Sequence, residues 1–360
     1  MTTTTLTVLP EWTTSRKFGP LEAVMPLDPD PTPGVDWGSL YFMGVAHAHQ
    51  DSQDRLNADR TWGTGNPAEY GGSGIGFGYS TDDIGCILVA TKALQNTIPG
   101  PDQAHGSRRL LYPLAGFSMT HDVYYARRVQ QAAAYQEQWF PMTGPVILDD
   151  QGWFPTNLDN LLAYAAAYPH QGLKHISLRP LGWTLYAKAA EHLCARTLGS
   201  AVSTAYMEKA LHILDLAAML PTGQMLSDFD GAHPTDQPGE ILFHWGILAV
   251  GALACCKRLH KPVPAWVPLH LDALDTLPQV PYYSGTSFPT CVYTDGAALK
   301  ASTGLGQGGD PAWAYYSSVC AAAYYVSGDP HYKQRANRWG PTTADTEDNR
   351  KISMLLRGMQ

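Results

Sequence analysis

The chain has 360 residues and a formal net charge of −8, with 44% hydrophobic, 16% charged and 11% aromatic residues. The acidic balance and the lack of a basic run exclude nucleic acid and anionic membranes as expected partners, because both are bound through clustered cations. The sequence has neither an 18-residue apolar run nor an N-terminal charged segment followed by an apolar one. We therefore expect no membrane partner, no signal peptide, and a location in the cytoplasm or in a virion.

The first 38 residues contain six prolines and show no sustained hydrophobic period. Proline fixes the backbone in extended conformations, so this segment is predicted to form an extended arm. An arm of this kind suits a grip on a neighbouring copy in a homo-oligomer, or on a neighbouring subunit in a virion. Residues 39–360 are predicted to form a single domain.

A short apolar run at 40–46 leads into His47, Ala48, His49, Gln50 and Asp51. On a strand both imidazoles would face one side, an arrangement that resembles the first metal motif of amidohydrolases. Those enzymes need alternating strands and helices, which the helical remainder does not provide. The Gly-rich segment 63–78 also lacks the Gly-Lys-Ser/Thr ending of a P-loop. We therefore predict no metal site and no cofactor.

Helical periodicity dominates the chain after residue 80. The predicted helices span about residues 81–97, 120–138, 157–168, 179–198, 203–220, 239–260, 311–327 and 330–339, with weaker candidates at 108–116 and 264–277. Thr120, Asn157 and Ser203 are predicted caps, and Pro169, Pro221 and Gly328 mark ends. The 203–220 helix is amphipathic, whereas 239–256 is apolar nearly all round. This alternation predicts an outer ring of half-exposed helices around an inner ring of buried ones.

A Trp opens a long run of apolar and small residues three times, at Trp183, Trp245 and Trp313. The intervals are 62 and 68 residues, and each is long enough for two helices with their loops. This spacing is typical of helical hairpins that must stack on one another to bury their apolar faces.

Inner helices rich in Ala, Gly and Trp, alternating with amphipathic outer helices and long Gly/Pro/Asp loops, resemble the (α/α) toroids of six-hairpin glycosidases and of several polysaccharide lyases. The resemblance covers roughly residues 80–340 and is one of pattern, without a family-specific catalytic motif. It implies an all-α fold, an (α/α) toroid of helical hairpins over residues 39–360 with the extended arm in front. In such a toroid, the loops that enter the inner helices converge on one funnel.

Two loops supply candidate catalytic carboxylates for such a funnel. The loop at 145–155 offers Asp149 and Asp150, and the loop at 223–240 offers Asp228, Asp230 and Glu240. Cleavage of a glycosidic bond uses paired carboxylates, one protonating the leaving oxygen while the other activates water or attacks. The competing interpretation is that each Asp only caps a helix or shapes a turn.

Candidate substrate-binding residues surround these loops. Arg179 can neutralise a uronate carboxylate in a lyase, with a His or Tyr as the base, and aromatic rings can stack on sugars. The predicted set is His175, Arg179, Trp183, His233, His244, Trp245, Tyr282, Tyr283 and Trp313. The competing interpretation of the repeated Trp residues is that they are packing features of stacked hairpins.

Two functions from different classes follow from these residues. In the first, the protein binds an oligosaccharide or polysaccharide in the funnel and cleaves it, as a glycoside hydrolase or a polysaccharide lyase. In the second, it is a non-catalytic structural or adhesion component of a larger assembly such as a phage virion. The six cysteines lack CxxC spacing, and several lie in apolar helices, so we expect buried free thiols.

Overall fold

The computed structural model describes residues 110–144, 156–225, 239–301 and 312–336, with short gaps inside these ranges. The predicted arm (1–38), the His47/His49 element, the Gly-rich segment and the 81–97 helix lie outside the described residues. Eight helices follow one another from residue 123 onwards in the described ranges: α1 (Val123–Glu137), α2 (Leu158–Ala167), α3 (Leu178–Leu198), α4 (Ala205–Ala217), α5 (Leu242–Leu259), α6 (Trp266–Asp275), α7 (Ala312–Ser327) and α8 (Pro330–Ala336). Short strands are β1 (Gly239–Ile241), β2 (Val280–Tyr282), β3 (Gly285–Ser287), β4 (Cys291–Thr294) and β5 (Leu299–Ala301).

The helix starts follow local capping chemistry. Asp122 caps α1 by accepting a hydrogen bond from the Tyr124 backbone N–H at 2.7 Å. Asn157 caps α2 as predicted, accepting from the Asn160 backbone N–H at 2.8 Å. Each side-chain oxygen satisfies a backbone donor that the helix itself leaves unpaired.

The helices form two rows. An inner row consists of α1, α3, α5 and α7, in which each helix packs against the next one of the row. The outer helices α2 and α4 pack against each other. Within the inner row burial extends all round the helix: residues 180–187 of α3 and 244–256 of α5 are buried throughout. The outer helix α4 alternates buried and exposed positions. The predicted division into buried and half-exposed helices is therefore confirmed for these elements.

The inner helices α3, α5 and α7 run in the same direction. Gly182 of α3 lies against Leu248 of α5, and further along both helices the Cys255 thiol donates to the Leu185 carbonyl at 3.3 Å. Near the ends of α5 and α7, Lys257 Nζ donates to the Tyr325 carbonyl at 2.6 Å. Residues further along one helix contact residues further along the next, so the helices run parallel and not antiparallel.

Two glycines set the separation of α3 and α5, and we refer to Gly182 and Gly251 as the glycine seam. A methyl group added at Gly182 would lie 2.6 Å from the backbone nitrogen of Leu248, and one at Gly251 would meet the Gly182 carbonyl oxygen. Backbone atoms occupy the space that a side chain would need, so the two helices touch backbone to backbone.

A charged network joins α6, α7 and α8, and we call Arg335, Asp275, Tyr316 and Asp272 the arginine corner. Arg335 donates through Nη2 to Asp275 Oδ2 at 2.8 Å and through Nε to Tyr316 Oη at 3.1 Å, and Nη1 lies 2.7 Å from Asp272 Oδ1. Tyr316 Oη in turn donates to Asp275 Oδ1 at 2.7 Å. Side chains of Arg335 and Asp275 are only 8% and 12% exposed, so these charges stabilise one another away from solvent.

Two small antiparallel sheets accompany the helices. Glu240 of β1 pairs with Val292 of β4, whose other neighbour is β5, and β2 pairs with β3. The sequence predicts these segments as loop or, for 239–241, as the first turn of a helix. The main helical prediction is confirmed, including the weaker candidate that became α6, whereas the strands were missed.

The described cysteines follow the predicted pattern. Cys194, Cys255, Cys256 and Cys320 are buried free thiols. Burial raises the pKa of Cys194 and of Cys256 to about 12, so both remain protonated at neutral pH. None of the helices within the described ranges combines the length and apolar composition needed to cross a membrane.

Candidate functional site at the start of the inner helices

The inner helices α3, α5 and α7 begin at the same end of the array. The end of α4 reaches this level as well, because the His170 backbone N–H donates to the Leu216 carbonyl and the Gly172 N–H to the Ala217 carbonyl, each at 2.8 Å, just before α3 begins. The chain then turns at 218–225 and re-enters through β1 into α5. Several connections of the chain therefore meet where the inner helices begin.

The turn after α4 packs tightly against α6. Gly223 adopts a φ of 65°, and a methyl group there would meet the Trp266 carbonyl oxygen. His270 Nδ1 donates to the Thr222 carbonyl at 3.1 Å. These contacts fix the point from which segment 226–238 departs, while its predicted residues Asp228, Asp230 and His233 lie outside the described residues.

Glu240 occupies a fixed backbone position at this end. It lies in β1 opposite Val292 of β4, two residues before α5 begins at Leu242. The sequence predicts this residue inside a long helix, whereas the structure holds its backbone in a sheet. Segment 226–238 is thus tethered at both ends, by the turn at 218–225 and by β1.

The repeated tryptophans do not form an open platform. Trp183 and Trp245 are 2% and 1% exposed. The Trp245 ring lies 4.3 Å from the His270 ring and 6.4 Å from the Trp266 ring, between centroids. A buried indole cannot stack on a sugar ring, so the predicted substrate-binding role of these two residues is wrong. The competing interpretation, that the repeated Trp residues are packing features, is confirmed for both.

The other predicted binding residues are distributed over the same elements. Arg179 lies in the first turn of α3 and is partly buried, and His244 lies in the first turn of α5 with 6% exposure. Trp313 lies in the first turn of α7, and Tyr282 pairs with Gly285 in the β2–β3 hairpin. His175 and Tyr283 lie outside the described residues. The burial of His244 makes it a poor ligand contact.

The first acidic loop is attached elsewhere. The sequence predicts that the 145–155 loop enters an inner helix, but Asn157 caps the outer helix α2 and its Nδ2 donates to the Gly144 carbonyl at 2.7 Å. Close by, Tyr206 at the start of α4 donates through Oη to the Phe140 carbonyl at 2.7 Å. The predicted position is wrong: both flanks of the loop lie where the outer helices begin, opposite the starts of the inner helices. Asp149 and Asp150 themselves lie outside the described residues.

Sequence reasoning missed the strongest charged cluster of the described structure, the arginine corner. Hydrogen bonds and charge interactions with Tyr316, Asp275 and Asp272 outweigh burial and raise the pKa of Arg335, while burial raises the pKa of Tyr316. Both groups therefore keep their protons at any physiological pH. Residues that meet across 41 and 60 positions leave no local pattern by which they could have been found.

Within the described ranges, no group of three or more His, Cys, Asp or Glu side chains is arranged to hold a metal ion.

Comparisons with known proteins give no relative: no family model, no curated protein and no solved structure matches this chain.

Proposed function

We propose that the protein binds an oligosaccharide or polysaccharide at the end where the inner helices begin, and cleaves it by acid–base catalysis as a glycoside hydrolase or a polysaccharide lyase. The proposal includes closure of the inner row into an (α/α) toroid. One observation carries it: β1 with Glu240 and the anchored segment that contains Asp228 and Asp230 both lead into this end. The proposal assigns the three candidate carboxylates of the 223–240 loop to this end, because the loop leaves the turn at 218–225 and re-enters the described structure through β1.

The proposed chemistry assigns complementary roles to these carboxylates. In a hydrolase, one protonated carboxyl group gives its proton to the leaving oxygen, while an ionised one activates water or attacks the sugar carbon. In a lyase, Arg179 in the first turn of α3 would neutralise a uronate carboxylate, and a base would remove the adjacent proton. Asp149 and Asp150 are not part of the proposed site, because their loop is attached at the opposite end.

The test is a screen of acidic and neutral polysaccharides with two readouts, new reducing ends for hydrolysis and unsaturated products for elimination. On a substrate that the unchanged protein cleaves, Asp230→Asn and Glu240→Gln should each lower kcat by at least about 100-fold, the usual contribution of an acid or base. The matched control is Asp149→Asn with Asp150→Asn, which should leave kcat within about twofold.

Two outcomes would reject the proposed site. One is unchanged turnover in both Asp230→Asn and Glu240→Gln. The other is a loss of activity in the Asp149/Asp150 control that equals the loss in those variants.

The second candidate is a non-catalytic component of a larger assembly such as a phage virion. The burial of Trp183 and Trp245 favours it, because it removes two of the aromatic rings expected to contact sugar. This function requires the chain to associate with itself or with other subunits. Absence of cleavage in the whole screen, together with oligomers by light scattering that are lost when residues 1–38 are deleted, would favour it over the enzyme.

A further inference from the structure

A groove of about 550 Å³ lies between α4 and the segment that joins α5 to α6. Its volume falls within the range of pockets that hold small organic ligands, about 300–1,000 Å³. One wall is a face of α4, and the other consists of residues 261–266 with the beginning of α6.

Most of the groove lining is apolar. Leu211, Ala218 and Leu220 contribute on the side of α4, and Pro262, Val263, Pro264 and Leu269 contribute opposite. Leu220 is 56% exposed, which makes it the most exposed large apolar side chain within the described ranges. Exposed apolar surface inside a concave pocket is typical of a place where a ligand is bound.

Charged side chains of both signs line the groove. Asp215, Glu208 and His212 lie on α4, where Glu208 already accepts a hydrogen bond from Thr204 Oγ1, and Lys261 lies at the start of the joining segment. The charge of Lys261 acts on Asp215, as does that of the neighbouring His212, while partial burial raises the pKa of Asp215. Even so, no ion pair joins Asp215 to Lys261 in the described structure. The carboxylate and the ammonium group therefore interact electrostatically without forming a direct ion pair.

His170 adds a fixed polar edge. Its backbone φ is 62°, and its Nδ1 donates to the Ala218 carbonyl at 2.8 Å. The groove thus combines an apolar body with a cation-binding group and an anion-binding group.

We propose that this groove binds a free apolar amino acid, with its α-ammonium group at Asp215, its α-carboxylate at Lys261 and its side chain against the apolar wall. A zwitterion offers a partner to Asp215 and to Lys261 at once, which neither a simple anion nor a simple cation does. A saccharide fits less well, because most of the lining offers no hydrogen-bonding groups. The proposal is independent of the carbohydrate site, since the two share no residue.

The experiment titrates the whole protein with three probes by calorimetry: L-leucine, leucinamide, which lacks the carboxylate, and N-acetyl-leucine, which lacks the ammonium group. Leucine should bind more tightly than either analogue. Asp215→Asn should weaken leucine and leucinamide by about tenfold or more and leave N-acetyl-leucine unchanged. Lys261→Gln should weaken leucine and N-acetyl-leucine by a similar factor and leave leucinamide unchanged.

Matched controls lie outside the groove. Asp159 and Lys209 form an ion pair between α2 and α4, so Asp159→Asn and Lys209→Gln remove the same charges without touching the groove lining. Both should bind all three probes like the unchanged protein, and circular dichroism should show all variants folded.

Three results would overturn the proposal: no heat of binding for leucine at millimolar concentration, equal affinity for the three probes, or equal losses in the groove and control variants. Competition of leucine by a neutral oligosaccharide would instead place the sugar in this groove, and would also overturn it. None of these results bears on Asp230 and Glu240, which are tested by cleavage.

Discussion

The glycine seam and the arginine corner hold neighbouring helices together by opposite means. At the seam, Gly182 and Gly251 let the backbones of α3 and α5 touch, with no side chain between them. At the corner, α6, α7 and α8 are separated by long side chains whose charges and hydroxyl group bond to one another around Arg335. The seam therefore depends on volume, and the corner depends on charge balance.

This difference predicts different kinds of sensitivity. A close-packed backbone contact tolerates no added atoms, because relief requires a whole helix to move. A buried charge network tolerates changes in size better than the loss of one partner, because the remaining charge is then left without compensation. The following predictions are ordered from the largest expected effect to the smallest.

Removal of the central cation should have the largest effect. Arg335→Met should lower the free energy of unfolding by about 3 kcal/mol, because it removes the cation that faces the buried Asp275 carboxylate. Urea unfolding measures this. Adding Asp275→Asn to Arg335→Met should recover part of the loss, since it removes the facing negative charge.

Asp272→Asn is the matched control at the corner. Asp272 is 67% exposed, so its loss should cost less than about 0.5 kcal/mol. If Arg335→Met and Asp272→Asn lowered the free energy of unfolding by the same small amount, the arginine corner would not stabilise the packing of α6, α7 and α8.

The seam should respond to a single methyl group. Gly182→Ala should destabilise the fold by about 2 kcal/mol, although Ala favours a helix over Gly by about 1 kcal/mol, because the methyl group meets backbone atoms of α5. The comparison is with Gly199→Ala. The added methyl group would meet no atom within 4 Å there, but the backbone φ of Gly199 is +61°. That variant should lose about 1 kcal/mol through backbone strain alone. A gain of stability in Gly182→Ala would contradict the close approach of α3 and α5.

A change on the outer row should have the smallest effect. Burial raises the pKa of Asp215 in the folded state, so the folded protein holds this proton more tightly than the unfolded chain does. Its contribution to stability therefore falls as pH rises from the ordinary Asp value through the raised one. Asp215→Asn should raise the Tm by about 1 °C at neutral pH, with no difference at pH values below both pKa values.

Scanning calorimetry across the acidic range measures the effect of Asp215→Asn, and Asp159→Asn on α2 serves as the comparison. A lower Tm for Asp215→Asn at neutral pH would mean that an unrecognised partner stabilises the carboxylate.

The sequence predicted the helices well because periodicity, caps and Pro or Gly stops are local. The cap at Asn157 and the contrast between α4 and α5 were both readable from nearby residues. Strands of three or four residues are too short to show a period, and β1 finds its partner β4 about 50 residues away. For that reason the sheet could not be anticipated, and residues 239–241 were assigned to a helix.

The candidate site was predicted less well than the fold. The hydrophobic pattern of α3 and α5 does not predict that Trp183 and Trp245 are buried. A helix that is apolar on all sides gives no indication of which side faces a ligand. The end of the helix array at which the Asp149/Asp150 loop begins depends on whether α1 is an inner or an outer helix. The packing of α1 against α3 shows that it is an inner helix, and this contact is not visible in the sequence. Glu240 lies in β1, where the sequence predicts a helix.

The parallel course of α3, α5 and α7 also has an electrical consequence. Peptide dipoles that point the same way add up, and each helix start carries the equivalent of about half a positive elementary charge. The outer helix α4 ends at the same level and contributes the opposite sign there. The two rows thus form a polarised face, positive at the inner helices and negative at α4, and an anion within about one turn of the inner helix starts is favoured by this field.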